Sequence, residues 1–291
     1  MLNFIVNPFS GGKEGKKTRK NLAEISNYLS EKNIDYNFYF TERKGHAIEI
    51  TRDLIKNGAT NIIAIGGDGS LHEVLNGFDN FENCAFGIIP SGTGNDFATA
   101  MGLPTNAIEA LKIILETKPK YTDFIQLPNV RCLNISGVGM DVEVLKLYEQ
   151  LKKKTKFGYT KCLLKTLFKF KPINFNAYFD GDKQNFTSYI ACIANGTMFG
   201  GGLKICSIAK QDDGLLDFVA IGNMNKLSLI NAFIKLKKGS LLKHKKIIHK
   251  TAKEITIESD LPLCVNLDGE LYENIPFSAK VVHNTLKMFR P

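Results

Sequence analysis

Three short apolar runs in the N-terminal part of the chain each end in a glycine-rich turn, and no other feature constrains the fold as tightly. Leu2–Val6 stops at Asn7-Pro8-Phe9-Ser10-Gly11-Gly12, residues 62–65 stop at Gly66-Gly67-Asp68-Gly69-Ser70, and residues 86–89 stop at Pro90 and Ser91-Gly92-Thr93-Gly94-Asn95-Asp96. Between the runs lie helical patterns. Leu22, Ile25 and Leu29 are spaced by three and four, Ile48, Ile50, Leu54 and Ile55 fit a second helix, and 71–78 reads as a third. Tyr36–Phe40 alternates as a strand does. Strands roughly 25 to 30 residues apart with helices between them predict a parallel sheet with crossovers. In such sheets ligands bind at the carboxyl ends of the strands.

All three turns fall at those ends. Glycine lets backbone N–H groups approach a phosphate with no Cβ in the way, and a helix N-terminus after each turn would add positive dipole. Ser10, Ser70 and Thr93 offer hydroxyl donors. Asp68 and Asp96 would repel bare phosphate, so their presence suggests Mg²⁺ between carboxylate and phosphate. Turn glycines occur in any α/β domain, but three such turns on one edge favour a nucleotide-phosphate site. Neither GxxxxGK[ST] nor GxGxxG is present.

The pattern changes near Thr122. Residues 123–140, 173–180, 186–194, 215–222, 254–259, 263–268 and 277–284 read as short strands, with Asp180-Gly181-Asp182 as a hairpin turn. Helical inserts are expected near 143–170 and 226–238. A second, mostly antiparallel domain follows, in line with 291 residues against about 150 per domain. Two acidic turns stand out in it: Asp212-Asp213-Gly214, which could hold a cation, and Asp268-Gly269-Glu270, which could place a general base near a hydroxyl. Either, taken alone, is more often a plain turn.

Composition narrows the function classes. With 44% hydrophobic and 23% charged residues the chain is ordinary globular material. Six cysteines are scattered, with no CxxC pair and none near a histidine at zinc spacing, which disfavours a zinc module. No signal peptide or apolar run of membrane-spanning length is apparent, so a cytoplasmic protein is expected. The net charge of +9 asks for an anionic partner.

NPFSGG at 7–12, GGDGSLHEVLNG at 66–77 counted from Gly66, SGTGNDFA at 91–98, FGGG at 199–202, DDGLLD at 212–217 and DGE at 268–270 together resemble the diacylglycerol-kinase catalytic family, and more narrowly its soluble bacterial lipid kinases. GGDG alone is shared with phosphofructokinases and NAD kinases; its combination with GTGNDFA and a late DGE is specific, and the likeness runs from end to end. It implies an N-terminal Rossmann-like α/β nucleotide domain over 1–122, a C-terminal antiparallel β-sandwich over 123–280, residues 281–291 returning to the first domain, and an active site in the cleft. By the same resemblance Asn7, Pro8, Phe9, Ser10, Gly11, Thr41, Gly66, Gly67, Asp68, Gly69, Ser70, Leu71, His72, Glu73, Thr93, Asn95 and Asp96 form the ATP-binding set. Lys210 and Leu215 through carbonyls, and Asp213 through its carboxylate, hold a structural Mg²⁺, with Asp123 linking it to the site. Asp268 and Glu270 are the catalytic pair, one of them the proton acceptor. Ser70 replaces the usual threonine, His72 an asparagine and Ser207 a proline. The implied reaction is ATP- and Mg²⁺-dependent phosphorylation of a lipid hydroxyl, diacylglycerol first among the candidates, and Asp268→Ala is expected to abolish turnover in a chain that still folds.

The basic residues cluster. Residues 146–171 carry Lys146, Lys152, Lys153, Lys154, Lys156, Lys161, Lys165, Lys169 and Lys171 against Glu149 alone, and 235–253 carry eight lysines and no acid. Lys161, Lys165 and Lys169 share one helix face, with Leu164, Leu167 and Phe168 on or near another, the pattern of a basic amphipathic helix. A solvated lysine face is the plain alternative. For a lipid kinase the expectation is peripheral docking on the anionic inner face of the membrane, with no nucleic-acid partner and with a homodimer admitted. The competing functions are a GGDG kinase acting on a sugar phosphate or NAD, and a non-enzymatic basic lipid-binding protein.

Overall fold

The computed structural model describes residues 1–12, 15–151, 155–167, 169–260 and 262–291. Lys152, Lys153, Lys154 and Phe168, together with the side chain of Lys156, lie outside the described residues. The chain divides into two units, Met1–Thr122 with His283–Pro291, and Asp123–Val282.

Unit one runs β1 (Leu2–Val6), α1 (Lys16–Glu31), β2 (Tyr36–Phe40), α2 (His46–Lys56), β3 (Asn61–Gly66), α3 (Asp68–Gly77), β4 (Ala85–Pro90), α4 (Asp96–Ala100) and α5 (Ala107–Glu116). β2, β1, β3 and β4 lie side by side, all parallel. Successive strand side chains point to opposite faces, so two cores form. Phe4, Val6, Ile63, Ile65 and Ile89 pack with Ile25 and Leu29 of α1 and Leu111 and Ile114 of α5. The alternate residues Ile62, Ala64 and Phe86 are equally buried, and Phe86 meets Phe78 at the end of α3 at 5.9 Å between ring centroids. A sheet buried on both faces explains why its strands read as unbroken apolar runs.

Two helices bury faces that differ from the apolar pattern. In α1, Ile25 and Leu29 are buried as expected, but Thr18 and Asn21 complete the stripe while Leu22 is only half-buried. In α2 the isoleucines are partly buried and Ala47 and Thr51 are fully inside. The reason is close approach to α3: a Cβ on Gly77 would lie 2.5 Å from Thr51 Cβ and 2.6 Å from the Ile48 carbonyl oxygen, so only small residues fit there.

Unit two contains the end of β5 (Lys120–Gln126), then β6 (Arg131–Cys132), β7 (Ile135–Gly139), α6 (Met140–Glu149), α7 (Lys156–Leu167), β8 (Ile173–Phe179), β9 (Asp182–Ala194), β10 (Leu216–Gly222), α8 (Lys226–Lys238), β11 (Ile247–Ala252), β12 (Glu254–Glu258), β13 (Cys264–Leu267), β14 (Glu270–Glu273) and the start of β15 (Phe277–Met288). It is an antiparallel β-sandwich. The long β9 pairs with β8 over its first half and with β7 and β10 over its second. Phe179 and Phe186 meet Phe218 at 5.0 and 5.3 Å within the inner core. A second core lies under the helices, where Tyr159, Leu163, Leu229 and Leu236 pack on Val219 and Ile221. The β8–β9 hairpin closes through Asp180 and Gly181 at φ 50° and 100°, with Phe179 opposite Asp182, the two-residue turn the sequence predicts.

β15 serves both units separately. Residues 277–280 pair antiparallel with β12 inside unit two, and Lys287 and Met288 pair parallel with Ala85 and Phe86 of β4 inside unit one. The second basic stretch is divided between the end of α8 and β11, a strand the lysine-rich composition hides. Leu167, expected on an outer face of α7, is instead buried in the core, while Phe157 and Leu164 of that helix are exposed. No described helix is long and apolar enough to cross a membrane.

Candidate functional site

The loops after β1, β3 and β4 are locked together in unit one by contacts that leave no room for side chains. A Cβ on Gly92 would stand 2.4 Å from Gly67 Cα, and one on Gly66 would stand 2.3 Å from the Ser70 hydroxyl. Gly11 sits at φ 90°, where a Cβ would meet the Ser91 carbonyl at 2.7 Å. The amides of Ser91 and Gly92 both donate to the Gly66 carbonyl. The Asn7 side chain accepts from the Phe9 amide at 3.0 Å and donates to the Ser70 hydroxyl at 3.4 Å. Thr18, Asn21 and Ser91 fasten the first loop to the third: Thr18 Oγ1 donates to the Ser10 carbonyl and meets Ser91 Oγ at 2.7 Å, and Asn21 reaches the same hydroxyl. These three polar residues escape the apolar periodicity because they face in only to bond one another.

The structure refines the roles of the predicted nucleotide residues. Asp68 and Gly69 lie inside the first turn of α3, where helix amides have no intrahelical acceptor and can bind an anion. The third loop is followed by α4, only five residues long, so the expected dipole after that loop is small. Thr93 is exposed, Pro8 and Ser10 are partly exposed, and Phe9 is exposed. Thr41 follows β2 and bonds the Val6 carbonyl through its amide and its hydroxyl.

Five of the predicted residues are buried or bonded within unit one. Asn95, in the left-handed region at φ 54°, closes on Gly92 with its side-chain oxygen taking the amide and its nitrogen meeting the carbonyl, each at 2.9 Å. Both Glu73 oxygens accept from the start of α2, at the Gly45 and Ala47 amides, so this carboxylate caps a helix. His72 and Leu71 are buried; their side chains belong to the packing of α3. Asp96 is also buried, close to Asp68 around Gly94, whose Cβ would lie 2.8 Å from Asp68 Oδ2 and 3.4 Å from Asp96 Oδ2.

In unit two, Asp123 is fully buried, and its Oδ2 accepts from the Gly214 amide at 2.8 Å while its own amide donates to the Gln211 carbonyl at 2.6 Å. The sequence separation of 91 residues is thus closed, and Asp123 braces the 211–214 loop. The exposed Asp213 takes the Leu215 amide at 3.1 Å. The ligands expected for a cation in this loop, the Asp213 carboxylate and the carbonyls of Lys210 and Leu215, are all oxygens, the donor type that hard cations such as Mg²⁺ prefer.

Asp268 and Gly269 form a two-residue hairpin between β13 and β14, with φ 53° and 94° and Leu267 opposite Glu270. The Asp268 carboxylate is enclosed by donors. Leu133, Asn134 and Ile135 give their amides at 2.7, 2.8 and 3.3 Å, and Cys132 gives its thiol at 3.1 Å. Burial, reinforced by the Asp268 charge, pushes the Cys132 thiol well up from its ordinary value, keeping it a donor. Asn266 fixes the turn by accepting from the Gly269 amide at 2.9 Å and donating to Asp141 at 3.3 Å. Asp141 is 3% exposed, its Oδ1 has no partner among the described residues, and burial pushes its carboxyl up to about 7. Glu270, partly exposed, opens β14 directly after the turn. The FGGG turn lies against α7: a Cβ on Gly200 would stand 2.3 Å from the Tyr159 ring.

Residues 1–127 match the family of the diacylglycerol kinase catalytic domain, and residues 134–290 match that of the YegS C-terminal NAD kinase beta sandwich-like domain. A diacylglycerol kinase of Staphylococcus saprophyticus is 28% identical over 294 aligned positions, covering 99% of this chain and 94% of that one. A probable lipid kinase YegS-like of Chromohalobacter salexigens is 27% identical, covering 85% and 81%. The crystal structure of a diacylglycerol kinase from Bacillus anthracis superposes with a TM-score of 0.76 at 22% identity, covering 100% of this chain and 96% of that one. An NAD kinase from Archaeoglobus fulgidus shares the fold more distantly, at a TM-score of 0.53 and 11% identity.

Proposed function

From the premise that this chain belongs to the diacylglycerol kinase catalytic family and is a kinase, we propose that it transfers the γ-phosphoryl group of ATP to the hydroxyl of a membrane lipid, diacylglycerol in the first place. The observation that carries this reading is the interlocking of three glycine-rich loops at one sheet edge, where a Cβ on Gly92 would strike the Gly67 backbone and one on Gly66 the Ser70 side chain. Such a surface offers amides, not side chains, to its ligand, and that suits a polyphosphate.

In this reading the amides of Asp68 and Gly69 and the hydroxyls of Ser10, Ser70 and Thr93 hold the phosphates, and Asn7 and Asn95 keep the loops in shape. Lys210, Asp213 and Leu215 hold Mg²⁺ as a structural ion, with Asp123 bracing the loop. Asp68 would hold Mg²⁺ at the phosphates, and the ion would supply charge neutralisation there. Glu270 accepts the proton of the attacking hydroxyl. Asp268 positions it, because three amides and a thiol already occupy the Asp268 lone pairs.

Access to a bilayer substrate is supported by two helices of unit two. On α8, Leu227, Ile230 and Ile234 are exposed at spacings of three and four, beside Lys226, Lys235, Lys237 and Lys238. On α7, Phe157 and Leu164 are exposed beside Lys161 and Lys165. Apolar side chains flanked by lysine suit the headgroup boundary of an anionic leaflet, at about 1 kcal/mol per lysine near the surface. In this reading the working enzyme lies at the cytoplasmic face of the membrane.

The test is transfer of labelled phosphate from ATP across a panel of diacylglycerol, phosphatidylglycerol, sphingosine, fructose phosphate and NAD, with Mg²⁺ varied. Label in diacylglycerol supports the reading; label confined to the soluble acceptors would sink it.

A further inference from the structure

Cys206, Asp217 and His249 come together in unit two with one donor atom of each within 4.8 Å of the others. They stand too far apart in sequence for any ligand spacing to show. Cys206 lies between the FGGG turn and the 210–215 loop, Asp217 is in β10 and His249 in β11. Val219 pairs with His249 and Asp217 with Thr251, so Asp217 and His249 are diagonal neighbours on one face. Val219 and Cys206 share the core beneath α8.

The three groups have little else to bond. His249 Nε2 lies 2.5 Å from Asp217 Oδ1. Cys206 and Asp217 are buried, while the His249 side chain is 27% exposed and opens the cluster to solvent. Burial, with the Asp217 charge adding to it, pushes the Cys206 thiol up to about 12.

We propose that Cys206, Asp217 and His249 bind a zinc-class divalent cation, with water as the fourth ligand on the His249 side. Sulfur, imidazole nitrogen and carboxylate oxygen together select a borderline-soft ion over Mg²⁺, which takes oxygen ligands. The charges balance: one thiolate and one carboxylate neutralise the doubly charged ion, so nothing unpaired is buried. Binding releases the thiol proton, and the imidazole binds through a ring nitrogen that carries no proton. Donors of a tetrahedral zinc lie roughly 3.3–3.8 Å apart, so the cluster closes slightly around the sulfur and the His249–Asp217 contact opens. The ion would tie the 203–209 segment to β10 and β11. It is separate in chemistry from the all-oxygen set at Lys210, Asp213 and Leu215.

The experiment uses the full chain, stripped with a chelator and titrated with Co²⁺, then with Zn²⁺ in competition. One equivalent of cobalt is expected to give a thiolate-to-metal charge-transfer band and tetrahedral visible bands, both displaced by zinc. Cys206→Ser should lose the charge-transfer band, and His249→Gln, at a partly exposed position, should weaken cobalt binding at least about tenfold. No charge-transfer band in the unmodified protein, or the same band in Cys206→Ser, would overturn the proposal. Should Cys206→Ser fail to fold, His249→Gln decides: unchanged cobalt affinity overturns it and weakened affinity supports it.

Discussion

Asp268 and Glu270 stand two residues apart on one hairpin with different neighbours, and mutation should separate them. Asp268→Ala strands three backbone amides and a thiol, and an unsatisfied buried donor costs about 1–3 kcal/mol. Loss of activity in that variant should therefore come with a fall in the urea midpoint, contrary to the sequence expectation of an intact fold. Glu270→Gln should lower kcat about 10²- to 10⁴-fold and leave the midpoint unchanged. Equal loss of stability in both variants would refute the division of roles. The motif DGE was legible in the sequence; the donors that surround Asp268 were not, because residues 132–135 show no pattern pointing to a carboxylate over 130 positions away. Asp141 gives a second test at this scale. Its folded value of about 7 lies above the ordinary 3.8. Below about pH 4 the residue is protonated in both folded and unfolded chains. Between 3.8 and 7 only the unfolded chain releases the proton, so stability falls as pH rises, and it levels off above 7. Asp141→Asn cannot ionise and still offers Asn266 an oxygen. Denaturant curves should show it more stable than the parent by a few kcal/mol at pH 8, at about 1.4 kcal/mol per unit, and the gain should vanish near pH 4. A gain that does not change with pH would count against a neutral Asp141.

At the scale of elements, parallel strands, crossovers and the hairpin at Asp180-Gly181 were readable because each has a local cause: an apolar run, a helical period, a residue pair that accepts positive φ. Elements set by partners were harder. Thr18 and Asn21 turn inward only because Ser91 waits there, and Ala47 and Thr51 only because α2 crosses α3 at Gly77. β11 was missed because Lys245, Lys246 and Lys250 mask its alternation; Lys250 lies over the Phe179 ring at 5.1 Å. The glycine contacts make the sharpest element-scale prediction. Gly92→Ala brings a Cβ onto the Gly67 backbone and against Asn95 Oδ1, a side chain that two hydrogen bonds to Gly92 hold in place. It should destabilise unit one by about 1–3 kcal/mol and raise the KM for ATP.

For the whole molecule, the net charge of +9 suits the membrane docking proposed for α7 and α8. If α7 and α8 meet the membrane, replacing Leu227, Ile230 and Ile234 by serine should reduce co-sedimentation with anionic vesicles severalfold without loss of fold. Salt should weaken the parent's binding as well, since exposed charges are screened within about 8–10 Å at physiological ionic strength. Binding indifferent to both changes would assign these helices another role. The sharing of β15 between the units has its own consequence for how the polypeptide matures. Residues 283–291 complete the sheet of unit one beside β4, yet the ribosome makes them after the whole of unit two. A nascent chain carrying residues 1–122 therefore waits with the β4 edge unpaired, a surface that invites mispairing, until all of unit two has been synthesised. Holdase protection should be most needed during that interval, and chains interrupted before residue 283 should be its heaviest clients.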